Sequence, residues 1–380
     1  MTIYLDYNAT APVRPEVAGK IKEILAEPAN PSSVHSYGRA AKKHLEDARR
    51  VIAEHISCWP DEVIFMGSAT EANVTALASA KGNVLVSAIE HSSILSSLRG
   101  SEATAAIQPK ENWIASPAAR NDVIPVDSNG IIKQDVLEKL LSEQKPSLVS
   151  IMLANNETGV IQPIADIARL CKEHGALLHC DAVQGLGKIP LDVGALGADM
   201  VTLSAHKCGG AVGAAAFIVR RGTPFTALFV GGQEGRRRAG TENVAAIAGF
   251  AKAIEFFDFR HMQKLRGWMD VMENIMQQSR ATIFGRAVSR LPNTTCVAMP
   301  GVSHETQLMD FDIKGFAVSA GSACSSGRVE PSHVLAAMGL PESEAKSAIR
   351  ISGGWKTTEA DIISFTKAWL LTCERLAKTA

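Results

Sequence analysis

The feature that most constrains this chain is an alternation that begins near residue 60. Short, nearly unbroken apolar runs rich in β-branched residues are separated by stretches with a helical period. EVIFMGS (62–68), NVLVSAI (83–89), SLVSIML (147–153), ALLHCDAV (176–183), DMVTLSA (199–205) and AAAFIVRR (214–221) read as strands. They lack an in/out alternation, as expected of parallel strands covered by helices on both faces. Between them, TEANVTALASA (70–80) predicts a helix opened by Thr70, and another helix begins near His91. PIADIARLCKEHG (163–175) is amphipathic, with Pro163 near its start and Gly175 as its stop. Strand–helix alternation of this kind implies an α/β sheet.

Past GTENVAAIAGFAKAIEFF (240–257) the pattern changes. A long helical stretch near 260–280 leads to an extended TTCVAMPG (294–301), a helix near 304–312 and an extended FAVSAG (316–321). Helices near 331–338 and from Thr358 to Leu376 close the chain. The expected organisation is a large α/β domain over 14–257. A smaller α+β domain is built from 258–380, with residues 1–13 folded back onto it. No internal repeat or low-complexity linker interrupts this plan.

Composition narrows the partners. Lysine plus arginine equals aspartate plus glutamate at 39 each, which removes the basic surface that nucleic acid or an anionic membrane would need. Arg236, Arg237 and Arg238 form one local exception. The start, MTIYLDYNAT, lacks the basic and apolar segments of a secretory signal, and no apolar run is long enough to span a bilayer. Seven cysteines without CxxC spacing point to thiols in a reducing compartment, so the expected location is cytoplasmic. No metal-ligand spacing is present.

Reactive side chains gather at three strand ends, where open α/β sheets bind ligands. Asp181 closes one apolar run, with Gln184 three residues on. Ser204, His206 and Lys207 close what reads as the next strand but one. MGSATEAN forms a small-residue turn into a helix, offering Thr70 and the amides around Ala69. These are the parts that pyridoxal phosphate requires. Lys207 supplies the amine for a Schiff base, and Asp181 a carboxylate for the ring nitrogen. Thr70, Ser204 and His206 supply phosphate donors, and Gln184 a partner for the ring hydroxyl.

A cysteine flanked by glycine and serine, outside any apolar pattern, is expected on an exposed and mobile loop rather than in a core. Cys324 in SAGSACSSG is the cysteine that meets this description.

The stretches LDYNATAPVRPEV, SSVHSYGRAA, SATEAN, EHSSI, NNETGVIQPI, HCDAVQGLGKIPLDV, LSAHK, RRAGTENV, SAGSACSSG, EPSHVL and IRISGGWKTTEADI run in order from residue 5 to about 362. Together they resemble the class V aminotransferase fold and, within it, the cysteine desulfurases of the NifS/IscS type. The resemblance implies a pyridoxal-phosphate transferase fold like that of aspartate aminotransferase, with a mostly parallel sheet. It implies that His91 stacks on the cofactor ring and takes the substrate thiol's proton, and that Asn155 sits beside cofactor and substrate. Thr241 would reach the phosphate of a second subunit's site in a homodimer, with the arginine triplet helping to build that interface. Arg350 would hold the carboxylate of L-cysteine, and the thiolate of Cys324 would take its sulfur as a persulfide, leaving alanine. The sulfur would pass to an acceptor such as an iron–sulfur scaffold protein. A selenocysteine lyase or another class V enzyme is the alternative.

One departure stands next to Lys207. Where relatives read roughly FYGPKGVGALY, this chain has CGGAVGAAAFI. Cys208 is expected to fill space there rather than to react.

Overall fold

A computed structural model describes residues 2–97, 123–321 and 332–376. The chain opens with a short strand, β1 (Ile3–Tyr4). The apolar runs then form β2 (Val63–Met66), β3 (Val84–Ser87), β5 (Leu148–Ser150), β6 (Leu177–Asp181), β7 (Met200–Ser204) and β8 (Ala215–Val219). With β4 (Val123–Ile124) at one edge they make a seven-stranded sheet of order β2-β8-β7-β6-β5-β3-β4.

Pairing is parallel from β4 through β7, whereas β8 lies antiparallel to both β7 and β2. The sheet is mostly parallel, as expected, and β8 is its antiparallel member. A parallel return needs a crossover of a dozen or more residues, and residues 205–214 are too few. Asp181 pairs with Thr202, so β6 and β7 are immediate neighbours rather than alternate strands. Strand order reverses around β3, the kind of place where α/β sheets open a crevice.

Helices form where the apolar period matches 3.6. In Ile164–Glu173 the buried residues are Ile164, Ile167, Ala168 and Cys171, one face of the helix, and Gly175 ends the segment at φ +72°. Truncating wholly buried Ile167 to Ala should cost about 2–5 kcal/mol. Helices Pro15–Leu25, Ser36–His55, Ala69–Ala78, Gln134–Gln144 and Val244–Ile254 also belong to this part of the chain. The loop holding the arginine triplet is anchored by a buried ion pair, Arg49 to Glu234 at 2.7 Å, and Glu234 also accepts the Phe65 amide. Arg237 donates to the Asp61 carbonyl and Arg238 pairs with Glu71, so two of the three cations are already engaged within this chain.

The second sheet joins β9 (Thr282–Ile283), β10 (Thr294–Ala298), β12 (Ser319–Ala320) and β13 (Ala348–Ser352), all antiparallel, in the order β12-β13-β10-β9. FAVSAG, expected to be one extended segment, is two. β11 (Phe316–Ala317) pairs in parallel with β1, and β12 pairs with β13. Leu5 packs in one apolar cluster with Leu265, Met269, Phe311, Ile351, Phe365 and Trp369.

Candidate active site

Asp181 is the last residue of β6 and is buried. Its Oδ2 accepts a 2.8 Å hydrogen bond from Asn73 Nδ2, and its Oδ1 accepts the Val183 amide at 3.0 Å. Asn73 lies on the helix Ala69–Ala78 and also donates to Ser93 Oγ, while its own Oδ1 is buried without a protein partner. The orientation of Asp181 is therefore set by a residue that strand-end reasoning passed over. Its position in the sequence, one turn into the helix after SATEAN begins, was the available signal.

Lys207 ends the short turn Ala205–Lys207 that follows β7. Its Nζ donates to the backbone carbonyls of Asn8 (2.7 Å) and Ala9 (2.8 Å). The N-terminal segment thus runs alongside this lysine, and the Ala11 amide donates to the His206 carbonyl. His206 Nδ1 lies 3.2 Å from Thr10 Oγ1, and burial followed by the nearby Lys207 cation pushes its pKa down to about 4. Ser204, the last residue of β7, is buried.

Asn8 is the hub of this corner. Its carbonyl accepts from Lys207 and from Gln184 Nε2, and its side chain binds Lys188, Asn293, Thr294 and the Asn156 carbonyl. Gln184 Oε1 accepts from Lys188 Nζ. Neither Asn8 nor Lys188 was singled out in the sequence, where nothing in their local patterns marks them.

His91 caps the short helix Ser92–Leu95, its Nδ1 accepting the Ser93 amide at 3.1 Å. Burial lowers its pKa, which favours a neutral ring. With Nδ1 so engaged, the neutral ring carries its proton on Nε2. It can accept a substrate proton only after releasing Ser93. Just before it, Glu90 is wholly buried, with Oε1 accepting the Met152 amide; burial and then Asp181 push its pKa well up.

Asn155 is also wholly buried. Its Oδ1 accepts the amides of Glu157 and Thr158, closing the NNETG turn, and its Nδ2 donates to the Ile89 carbonyl. Arg350, in the middle of β13, donates to the Asn156 carbonyl at 3.0 Å and pairs with Asp6 at 2.6 Å. Its Nε is buried without a protein partner.

The helix expected to open at Thr70 begins at Ala69, because Ser68 takes the cap position and its Oγ accepts the Glu71 amide. Ala69 is half-buried, and Thr70 and Thr241 are exposed. Cys324 lies outside the described residues. The residues flanking that segment both meet Glu157: Ser332 Oγ donates to its carboxylate, and a Cβ at Gly321 would stand 2.2 Å from Oε2. A side chain at Gly321 would therefore have to displace the Glu157 carboxylate.

The sequence profile for class V aminotransferases matches residues 3–365. The chain belongs to the class V aminotransferase family. Cysteine desulfurase IscS of Dictyoglomus turgidum is 38% identical over 375 residues, covering 95% of this chain and 91% of that protein. A NifS-like protein from Rickettsia africae superimposes with a TM-score of 0.85 at 37% identity, covering 97% of this chain and 98% of that one. A structure described as SspA in complex with cysteine superimposes at 0.78 with 30% identity, covering 92% and 98%.

Within this class V chain the departure after Lys207 has a structural explanation. Cys208 is buried, its thiol donates to the Ala205 carbonyl at 3.2 Å, and burial pushes its pKa up to about 12. A thiol held that high is not a nucleophile near neutral pH. Gly209 adopts φ +95°, and a Cβ there would stand 3.2 Å from Arg14, whose guanidinium stacks on Trp355. The positive φ at Gly209 suits glycine, and the loop turns closely against the Arg14 side chain.

Proposed function

We propose that the protein is a pyridoxal-phosphate-dependent cysteine desulfurase, converting L-cysteine to L-alanine and leaving the sulfur as a persulfide on Cys324. The observation that carries this reading is the placement of Asp181 at the end of β6 and Lys207 just past the end of neighbouring β7, both acting electrostatically on His91, with Arg350 held by Asp6 on the second sheet. The family and the relatives named as cysteine desulfurases support it.

The residues fit the cofactor. Asp181 offers a fixed carboxylate to a pyridinium nitrogen, and Lys207 an amine for covalent attachment. Gln184 offers an amide to the ring oxygen. Ala69, Thr70, Ser204, His206 and the start of the helix Ala69–Ala78 offer phosphate donors. When bound, pyridoxal phosphate supplies an electron sink that weakens bonds at the substrate's α-carbon.

The protein does the rest. Arg350 binds the substrate carboxylate, exchanging part of its pairing with Asp6 and the Asn156 carbonyl for it. Asn155 and His91 would sit beside cofactor and substrate. Lys207, displaced as a free amine, moves the α-proton. Cys324 thiolate attacks the substrate's sulfur: an S–S bond forms, the C–S bond breaks, and the carbon keeps the electron pair and takes a proton. Cysteine plus one thiol gives alanine plus one persulfide, so no outside oxidant or reductant is consumed.

A homodimer completes the proposal. Val13, Ile21, Leu25 and Ala211 line a shallow apolar groove, and Leu25 and Val212 are exposed, as suits a face that a second copy covers. Thr241, exposed in the single chain, would then serve the partner's phosphate site. The sulfur acceptor would be a protein such as an iron–sulfur scaffold, in the cytoplasm. Among the described residues no helix is long and apolar enough to cross a membrane.

The deciding experiment measures alanine and sulfide from L-cysteine, with a thiol reductant present, for wild type and Cys324→Ser. The variant should keep the yellow colour of the bound cofactor while sulfide falls by at least about 10²-fold. Sulfide release at the wild-type rate would sink the persulfide mechanism.

A further inference from the structure

We propose that Lys188 is a positioning residue for the reaction at Lys207, fixing which end of the Gln184 amide faces the cofactor. The inference rests on the cofactor reading above and goes beyond it.

Lys188 is buried, and its Nζ donates to Asn8 Oδ1 at 2.7 Å and to Gln184 Oε1. Gln184 Nε2 in turn donates to the Asn8 carbonyl at 3.1 Å. Every partner is of one kind only: the amine nitrogen is the donor and the backbone carbonyl can only accept. Rotating the amide by half a turn would set N–H against the Lys188 amine and oxygen against the Asn8 carbonyl. Two hydrogen bonds would be replaced by two like-with-like contacts, so a single orientation survives. In that orientation Nε2 has a second N–H available for the cofactor's ring oxygen, which carries negative charge and needs a donor.

The same arrangement reaches Lys207, whose Nζ donates to the Asn8 carbonyl at 2.7 Å. Asn8 therefore links the amine that attaches the cofactor to the amide that faces its ring. The ionisable groups acting on Lys188 are Lys207 and Arg350, with Cys208 opposing them, and burial outweighs all three in lowering its pKa. A protonated amine has no lone pair, so in that state both contacts oppose the flipped amide; a neutral amine keeps two N–H groups for its two acceptors, and the Asn8 carbonyl, which can only accept, still opposes the flip.

The test loads wild type, Lys188→Met, Lys188→Gln, Gln184→Ala and the Lys188→Met/Gln184→Ala double variant with pyridoxal phosphate. The pH midpoint of the visible absorbance is then measured. Loss of a donor to the ring oxygen lets that oxygen share the proton at the attachment nitrogen more strongly. Lys188→Met and Gln184→Ala should each raise the midpoint by about 0.5–1 unit. The double variant should move no further than either single, since one residue acts through the other. Lys188→Gln, whose amide can still donate to Gln184, should stay near wild type.

A purely structural Lys188 would lower the melting temperature of the cofactor-free protein and leave the midpoint in place, which overturns the inference. So does an additive shift in the double variant. If Lys188→Met does not fold, a Lys188→Gln midpoint displaced as far as that of Gln184→Ala is the overturning result. Wild type that gains no visible absorbance overturns the cofactor reading itself, and this inference with it.

Discussion

Each of the two larger sheets carries a titratable side chain in the middle of a strand, and the two are treated in opposite ways. His179 in β6 is wholly buried between hydroxyls, with Nδ1 2.8 Å from Ser150 Oγ and Nε2 3.0 Å from Thr202 Oγ1. Both ring nitrogens are satisfied, and burial pushes the pKa down to about 4, so the ring stays neutral. Arg350 in β13 is nearly as buried, pairs with Asp6 and leaves Nε without a protein partner. Both ring nitrogens of His179 find partners, as suits a group that serves packing, whereas one donor of Arg350 does not, and on the proposed reading Arg350 serves the substrate. On the seven-stranded sheet the chemistry is displaced to the strand ends. On the four-stranded sheet Arg350 stands in the middle of a strand, bonded to Asp6 and the Asn156 carbonyl.

The comparison breaks most severely at Lys207. Lys207→Ala should abolish covalent attachment and cut alanine release from L-cysteine by about 10³-fold or more, read as lost visible absorbance and lost rate. The effect should lie in kcat, because the carboxylate site on the other sheet is untouched. Arg350→Met should show the converse. KM for L-cysteine rises and kcat/KM falls by about 10²-fold, the worth of a charge-assisted hydrogen bond. A fall confined to kcat would assign Arg350 to positioning rather than to substrate binding.

His179 sharpens the contrast through pH. An unfolded histidine titrates near 6.5. Its folded pKa is about 4, so between these values the unfolded chain takes up a proton that the folded one refuses. The neutral ring's contribution to stability is intact above about pH 6.5 and is lost as pH falls toward 4, on the order of 3 kcal/mol in all. Urea melts of wild type and His179→Asn at pH 7 and pH 4.5 test this: the variant should lose less stability between the two conditions. At neutral pH its activity should match wild type. The smallest effect is expected at Cys208, where Cys208→Ala should change the rate by under about twofold and stability by about 1 kcal/mol. A large loss of rate there would give the buried thiol a role that its surroundings do not suggest.

How far the site could be read from the sequence divides along the same line. Strands such as 176–183 and 199–205 announce themselves because burial on both faces demands continuous apolar runs, and their ends then point to Asp181 and Lys207. The direction of β8 was legible only from the length of its connection, since an apolar run looks the same either way. Ser68 was a better cap candidate than Thr70 on spacing, with Glu71 three residues on. Asn8 and Lys188 were not legible at all. Their importance comes from a meeting between the start of the chain, residues 184–188 and strands β10 and β13, and no local period records such a meeting.

That meeting has a consequence in time. The Asn8 amide is held by Ser352 Oγ, 344 residues further along, and Asp6 waits for Arg350. At about 5–20 residues per second of synthesis, the first residues wait roughly 20 to 70 s for partners that do not yet exist. The corner that holds Lys207 is therefore among the last parts of the molecule to be finished, although its first residues are made at the outset. Cofactor capture becomes an event of the nearly complete chain.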